Sequence, residues 1–316
     1  MCGFRRLEEI AALLKKHPEF AACISNEAKL QVFVSHGEEE QRAALQALFA
    51  SFMQCPEETS SRQLNLLLLR LQSEQLLPHS PHDEPAWERK CARAILRLAQ
   101  QFPGDPGAMA PLFLNYLLIA PGESFFMDAN EPHAYVAGEI IECMACSDNV
   151  VRAGLTGKFK DVDNLVSMLT YSMGGPNIDC GAPTSDPRII RYTPPVPDFE
   201  VLLCTCSPGE ELTMPKLPVP SLFIVIEGTG SADGGGDGLV MRPGRTYYLP
   251  ANCAPLTLAV TAAQRGPLKV ALASVNQHIE KPNVVGRSPA SSVDDAEGSP
   301  TVGRSPRRGG SSSALF

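Results

Sequence analysis

The sequence predicts an α+β protein, mainly helical at first and then built from short strands of the barrel or sandwich type. Three observations carry this. Up to about residue 102 apolar residues recur at helical spacing, and from Leu112 the period drops towards two. A Pro-Gly-initiated segment also occurs twice, as PGESFFMDANEPH at 121–133 and PGRTYYLPANCAP at 243–255.

Leu7, Ile10, Ala11 and Leu14 place an apolar face on a helix over 5–16, which His17-Pro18 ends. Leu45, Leu48, Phe49 and Phe52 share one face over 39–53. Residues 60–77 are leucine-rich almost all round, which predicts a helix buried on several sides and capped by Ser60 or Ser61. Trp87, Cys91, Ile95 and Leu98 face inward on a helix over 85–102, closed by QFPGDPG. The linker LLPHSPHDEP carries His79 and His82; its prolines, with no cysteine nearby, read as a solvated loop rather than a metal site.

FEVLLCTC, SLFIVIEG, RTYYLPA, LTLAV and KVALASV follow as short strands. PNIDCGAPTSDP and YTPPVPD are proline-broken loops. GTGSADGGGDG at 228–238 lacks the Lys-Ser/Thr of a phosphate-binding loop and is read as a hairpin loop. From about residue 284 the chain is Ser-, Gly-, Pro- and Arg-rich and cannot bury a core. Arg-Ser-Pro at 287–289 and 304–306 offers sites to proline-directed kinases, although a passive tail is the simpler reading.

A net charge of −8 over 316 residues argues against a nucleic-acid surface, yet leaves room for a phosphorylated substrate held by a few cations. Ten cysteines show no regular framework, acidic residues follow Met1–Arg6 where a leader would be apolar, and no stretch has the length of a membrane span. The expectation is a cytoplasmic monomer acting on a small molecule, without nucleic-acid or membrane partners.

Usable chemistry concentrates in 121–158, which alternates in the manner of paired strands. His133 follows the strand break Asn130-Glu131-Pro132, and Glu139, Glu142, Asp148, Arg152 and Lys158 come within the next twenty-five residues. On residue type alone, His133 is a hydrogen-bonded polar residue at a strand start, and Arg152 and Lys158 are surface cations. Glu139 and Glu142 would point to opposite faces of a strand. Cys143 and Cys146 form a single CxxC, a weak metal or redox signal favouring core packing.

EPHAY at 131–135 and ECMACSDNVVRAGLTGKFKDV at 142–162, with CGFRRLEEI at 2–10 and PGRTYYLPAN at 243–252, closely resemble the type I mannose-6-phosphate isomerases. The resemblance runs over roughly 2–280. It implies a double-cupin enzyme with an inserted helical domain, one zinc ion, and the interconversion of mannose 6-phosphate and fructose 6-phosphate for GDP-mannose supply. By that resemblance His133 is a zinc ligand, and Arg152 is catalytic beside a developing enediolate. Tyr135, Glu142 and Lys158 contact substrate, Lys158 at its phosphate. Glu142 is then either a proton carrier or a structural carboxylate, and Lys158 either a phosphate anchor or a solvated lysine. The implied organisation is a helical domain at 1–110, the remainder of the catalytic barrel at 111–195 and a second, metal-free barrel at 196–280; composition, outside the resemblance, makes 281–316 a disordered tail.

In the family, the other zinc ligands, a Gln, a His and a Glu, precede the CGFR segment, which here starts at residue 2. The expectation is an N-terminally shortened member with an incomplete first barrel, weak zinc binding and impaired turnover. The alternative is a non-catalytic fragment, a metal-free cupin scaffold. Where the first Pro-Gly segment has His133 the second has Pro255, so the second barrel is expected to hold no metal.

Overall fold

The helical periodicities become α1 (Leu7–Lys16), α2 (Pro18–Ala21), α3 (Asn26–Val34), α4 (Glu38–Met53), α5 (Glu57–Gln75) and α6 (Ala86–Gln101), then a 3-10 turn at Pro106–Leu112. The protein is seen in a computed structural model that describes residues 1–75, 86–147, 150–234, 238–278 and 313–315. His79, His82, Asp148 and both Arg-Ser-Pro sites lie outside the described residues. Acidic Glu8 and Glu9 open α1 and Lys15 and Lys16 close it, matching its dipole. Ser25 caps α3 by accepting from Ala28 N at 3.2 Å.

Two expectations for α5 are corrected. It begins at Glu57, so Ser60 and Ser61 lie inside it rather than at its cap. Their hydroxyls donate to Glu57 O, one turn back in the same helix, and to Gly104 O beyond α6. Nor is it buried on several sides: Leu64, Leu67 and Leu71 are buried, but Leu66 is 49% and Leu69 65% exposed. The surplus leucines face solvent because only the 64–67–71 stripe meets neighbouring helices.

An aromatic cluster centres this core, with Phe20–Phe113 centroids at 4.9 Å and Phe49–Phe113 at 5.5 Å, both edge-on. Phe4, fully buried, stacks on Tyr171 at 5.3 Å. The CGFR segment is extended: Cys2 N donates to Asn115 O, Gly3 N to Pro132 O and Arg5 N to Phe113 O. It therefore ties the end of the helical part to the strand that carries His133.

Next come β1 (Ser124–Phe125), β2 (Pro132–His133), β3 (Val150–Arg152), α7 (Val162–Met168) and β4 (Ile178–Asp179). They are followed by β5 (Ala182–Pro183), β6 (Ile189–Tyr192), β7 (Glu200–Cys206), β8 (Glu211–Thr213), β9 (Ser221–Glu227) and β10 (Gly230–Asp233). The last are β11 (Leu239–Met241), β12 (Thr246–Leu249), β13 (Thr257–Ala259), β14 (Leu268–Ser274) and β15 (Ser313–Leu315). The described chain divides into two units: residues of 1–142, 146–180 and 313–315 form one, and those of 143–145 and 181–278 the other.

In the second unit an antiparallel sheet of order β12-β9-β14-β7-β6-β5 and another of order β11-β10-β13-β8 share one core. β7 alternates buried and half-buried positions along its length, placing Leu202, Cys204 and Cys206 inward. Within the 228–238 segment Gly230–Asp233 forms β10, which pairs with β11, so the segment is not a loop throughout. In the first unit β1 pairs with β4, while β15 lies between β2 and β3, parallel to both.

The repeated Pro-Gly segments share a backbone as well as a sequence. Gly122 and Gly244 have φ of 89° and 80°, and Asn130 and Asn252 have φ of 66° and 57°. β1 and β12 each begin two residues after their glycine. Left-handed backbone at matching positions favours Gly and Asn at both.

Candidate functional site

His133 ends β2 and is buried, 5% exposed. Its Nδ1 lies 2.9 Å from Glu131 O, and a carbonyl can only accept, so Nδ1 carries the proton. Burial pushes its pKa down. The ring is therefore neutral with its lone pair on Nε2, the form that ligates metals.

Tyr135 lies beside it, ring centroids 5.8 Å apart, and its hydroxyl donates to Glu142 Oε1 at 2.6 Å. Burial, then the Glu142 carboxylate, raises the Tyr135 pKa. Cys2 bridges to His133 across the extended N-terminal segment, and burial raises its thiol to about 11. Both stay protonated at neutral pH.

The stretch 139–147 forms neither strand nor helix, which corrects the paired-strand expectation. Alternation alone does not make a strand without a partner ladder. Glu139 and Glu142 are both exposed, and the face argument does not apply to them. Cys143 is half-buried and Cys146 exposed, so core packing is not what holds the CxxC. Ile140, Ile141 and Val150 of the first unit are also exposed, and so is Met144 of the second.

Arg152, half-buried at the end of β3, has no side-chain partner among the described residues. Leu315 of β15 is opposite His133 on one side and Arg152 on the other. The two site residues thus stand in register two strands apart, a backbone separation of roughly 10 Å. Lys158 is exposed, and its N–H donates to Thr156 Oγ1 at 3.1 Å. A cavity of about 350 Å³ lies elsewhere, between Lys16, His17, Leu71, Glu88 and Cys91.

The turn between Arg152 and Lys158 rests on a residue that sequence reasoning missed. Asp105 caps the 3-10 turn by accepting from Gly107 N at 2.7 Å, and its other oxygen accepts from Thr156 N at 3.1 Å. Gly107 and Gly154 pass so closely that a Cβ on Gly107 would lie 2.7 Å from Leu155 N, and one on Gly154 2.9 Å from Gly107 Cα. The sequence signal was Asp before Pro-Gly, a side-chain-capped turn.

A catalytic zinc takes three protein ligands and a water. Among the described residues no three His, Cys, Asp or Glu side chains cluster to hold a metal. His133 has the right tautomer for one ligand, but the described residues alone do not fit a complete zinc site. No described helix is long and apolar enough to cross a membrane.

Residues 22–114 match the family model for the phosphomannose isomerase type I helical insertion domain. Mannose-6-phosphate isomerase 2 of Arabidopsis thaliana is 36% identical over 255 residues, covering 80% of this chain and 56% of that protein. Human mannose-6-phosphate isomerase is 40% identical over 236 residues, covering 72% of this chain and 54% of that protein. The chain therefore carries the helical insertion domain of the type I phosphomannose isomerases and is similar to these enzymes over most of its length.

A solved structure agrees with this assignment. The mannose 6-phosphate isomerase of Salmonella typhimurium, bound to fructose 6-phosphate and zinc, superimposes with a TM-score of 0.66 at 27% identity. The match covers 87% of this chain and 63% of that one. The fold is thus the cupin fold of phosphomannose isomerases with their helical domain, an α+β arrangement. The chain spans 54–56% of the length of these two curated relatives.

Proposed function

We propose that this chain carries the substrate-holding side of a mannose-6-phosphate isomerase, which interconverts mannose 6-phosphate and fructose 6-phosphate and so supplies GDP-mannose synthesis. The observation that carries this is the identity to named mannose-6-phosphate isomerases, which takes in the EPHAY and ECMACSDNVVRAGLTGKF stretches. In this reading Lys158 holds the substrate phosphate as a compact cation, so binding energy remote from the reacting carbons positions them. The Arg152 guanidinium, free of other partners among the described residues, stabilises oxygen charge that develops in the enediolate. Tyr135 and Glu142 contact the sugar as a hydrogen-bonded pair.

His133 would be one ligand of the zinc such enzymes use. Because the described residues supply no further cluster, this polypeptide alone is proposed to bind zinc weakly and turn over slowly, and no catalytic step is assigned through the metal. We further propose the helical domain at 1–110, barrel segments at 111–195 and 196–280, a tail from 281, and action as a cytoplasmic monomer.

Calorimetric titration with fructose 6-phosphate tests the reading. Saturable binding that Lys158→Ala weakens at least tenfold supports it; binding unaffected by Lys158→Ala and Arg152→Ala together contradicts it.

A further inference from the structure

We infer that Asp105 is a positioning residue: its carboxylate sets the turn that places Arg152 and Lys158 for a phosphosugar, an inference that rests on the function proposed above. Two contacts and one strained residue converge on this turn. Asp105 divides its two oxygens between Gly107 N at 2.7 Å and Thr156 N at 3.1 Å, spanning 51 residues of sequence. Gly107 and Gly154 are in backbone contact, with no room for a side chain on either, so this part of the turn cannot drift from the 3-10 helix. Between Gly154 and Thr156, Leu155 is held at φ 55° with its side chain buried. A bulky L-residue persists in left-handed backbone only where its surroundings over-determine it. The Thr156 bond and the glycine contact are the surroundings that do so.

The consequence is directional. Arg152 immediately precedes this turn and Lys158 immediately follows it, and Thr156, whose N–H Asp105 holds, in turn takes the Lys158 N–H on its hydroxyl. Asp105 therefore fixes the spacing between the two cations without itself touching substrate. Only a carboxylate can accept at both ends at once. An Asn offers one acceptor and a donor, which faces either Gly107 N or Thr156 N unfavourably.

The test compares Asp105→Asn and Asp105→Ala with the unaltered chain by amide hydrogen exchange and by fructose 6-phosphate titration. Ser25→Ala, which removes a cap of the same kind on α3, is the control for general loss of stability. The expected result is at least tenfold faster exchange at Thr156 and Lys158 in both Asp105 variants, with fructose 6-phosphate affinity about tenfold weaker. The Ser25→Ala protein should lower the melting temperature without changing affinity. Unchanged exchange at Thr156 in Asp105→Ala overturns the inference, as does an affinity loss in Ser25→Ala as large as in Asp105→Asn. If the unaltered chain binds no fructose 6-phosphate, the substrate site itself falls, and the exchange data still decide whether Asp105 holds the turn.

Discussion

The Tyr135 hydroxyl and the Glu142 carboxylate, seven positions apart in sequence, meet at 2.6 Å, and the Tyr135 ring lies beside the buried His133 ring. The pair is a charge-assisted bond between two groups on the solvent-facing side of the chain, so its role is orientation more than stability. Tyr135→Phe should cost no more than about 1 kcal/mol in urea unfolding, the range of exposed charged pairs. Its effect should fall on fructose 6-phosphate affinity instead, with Glu142→Gln behaving similarly. A large stability loss with unchanged affinity would make the pair structural.

Acid stability should depend on His17. It is buried, and its Nδ1 accepts from Arg70 Nη2 at 2.9 Å, so the ring is neutral in the fold. Burial first, and the Arg70 charge second, lower its pKa to about 4. Between about pH 6.5 and 4 the unfolded chain takes up a proton that the folded chain refuses. Stability is therefore complete above pH 6.5 and falls as pH drops through that window, by on the order of 3 kcal/mol for this one group. His17→Gln keeps an acceptor for Arg70 and removes the titration. Denaturant melts at pH 7 and pH 5 should differ less for His17→Gln than for the unaltered chain. Some difference remains, because burial also lowers the His133 pKa.

Asn130 and Asn252 occupy equivalent left-handed positions in the two Pro-Gly segments. Replacing either with Ala should destabilise by about 1–2 kcal/mol, the cost of a Cβ in that backbone region. Asn130→Gly should be neutral or stabilising, because the Asn130 Oδ1 is buried without a hydrogen-bond partner among the described residues. Thermal melts of these three variants check this. Equal effects of Ala and Gly at residue 130 would remove backbone conformation as the reason for the repeated Asn.

Long-period features were legible in the sequence, and features that depend on distant partners were not. α4 and α6 follow from Leu45, Leu48, Phe49 and Phe52 and from Cys91, Ile95 and Leu98, all buried where their spacing put them. α3 and α7 were missed because each buries so little: Ala28 and Val32 on one, Leu165 on the other, too few positions to mark a period. The stretch 139–147 alternates as a strand would, but register and pairing are tertiary facts. His133, Tyr135 and Glu142 were readable as a local motif. Asp105 was readable only as a turn residue, since Thr156, the partner that gives it significance, lies 51 residues away.

The most direct test measures bound zinc and mannose 6-phosphate turnover together on the purified 316-residue chain, beside the Salmonella typhimurium enzyme under the same conditions. With His133 as a lone described ligand, zinc should be well below one ion per chain after dialysis, and turnover at least about a hundredfold lower. One tightly held zinc per chain with comparable turnover would contradict this account, and would mean that residues outside those described complete the metal site.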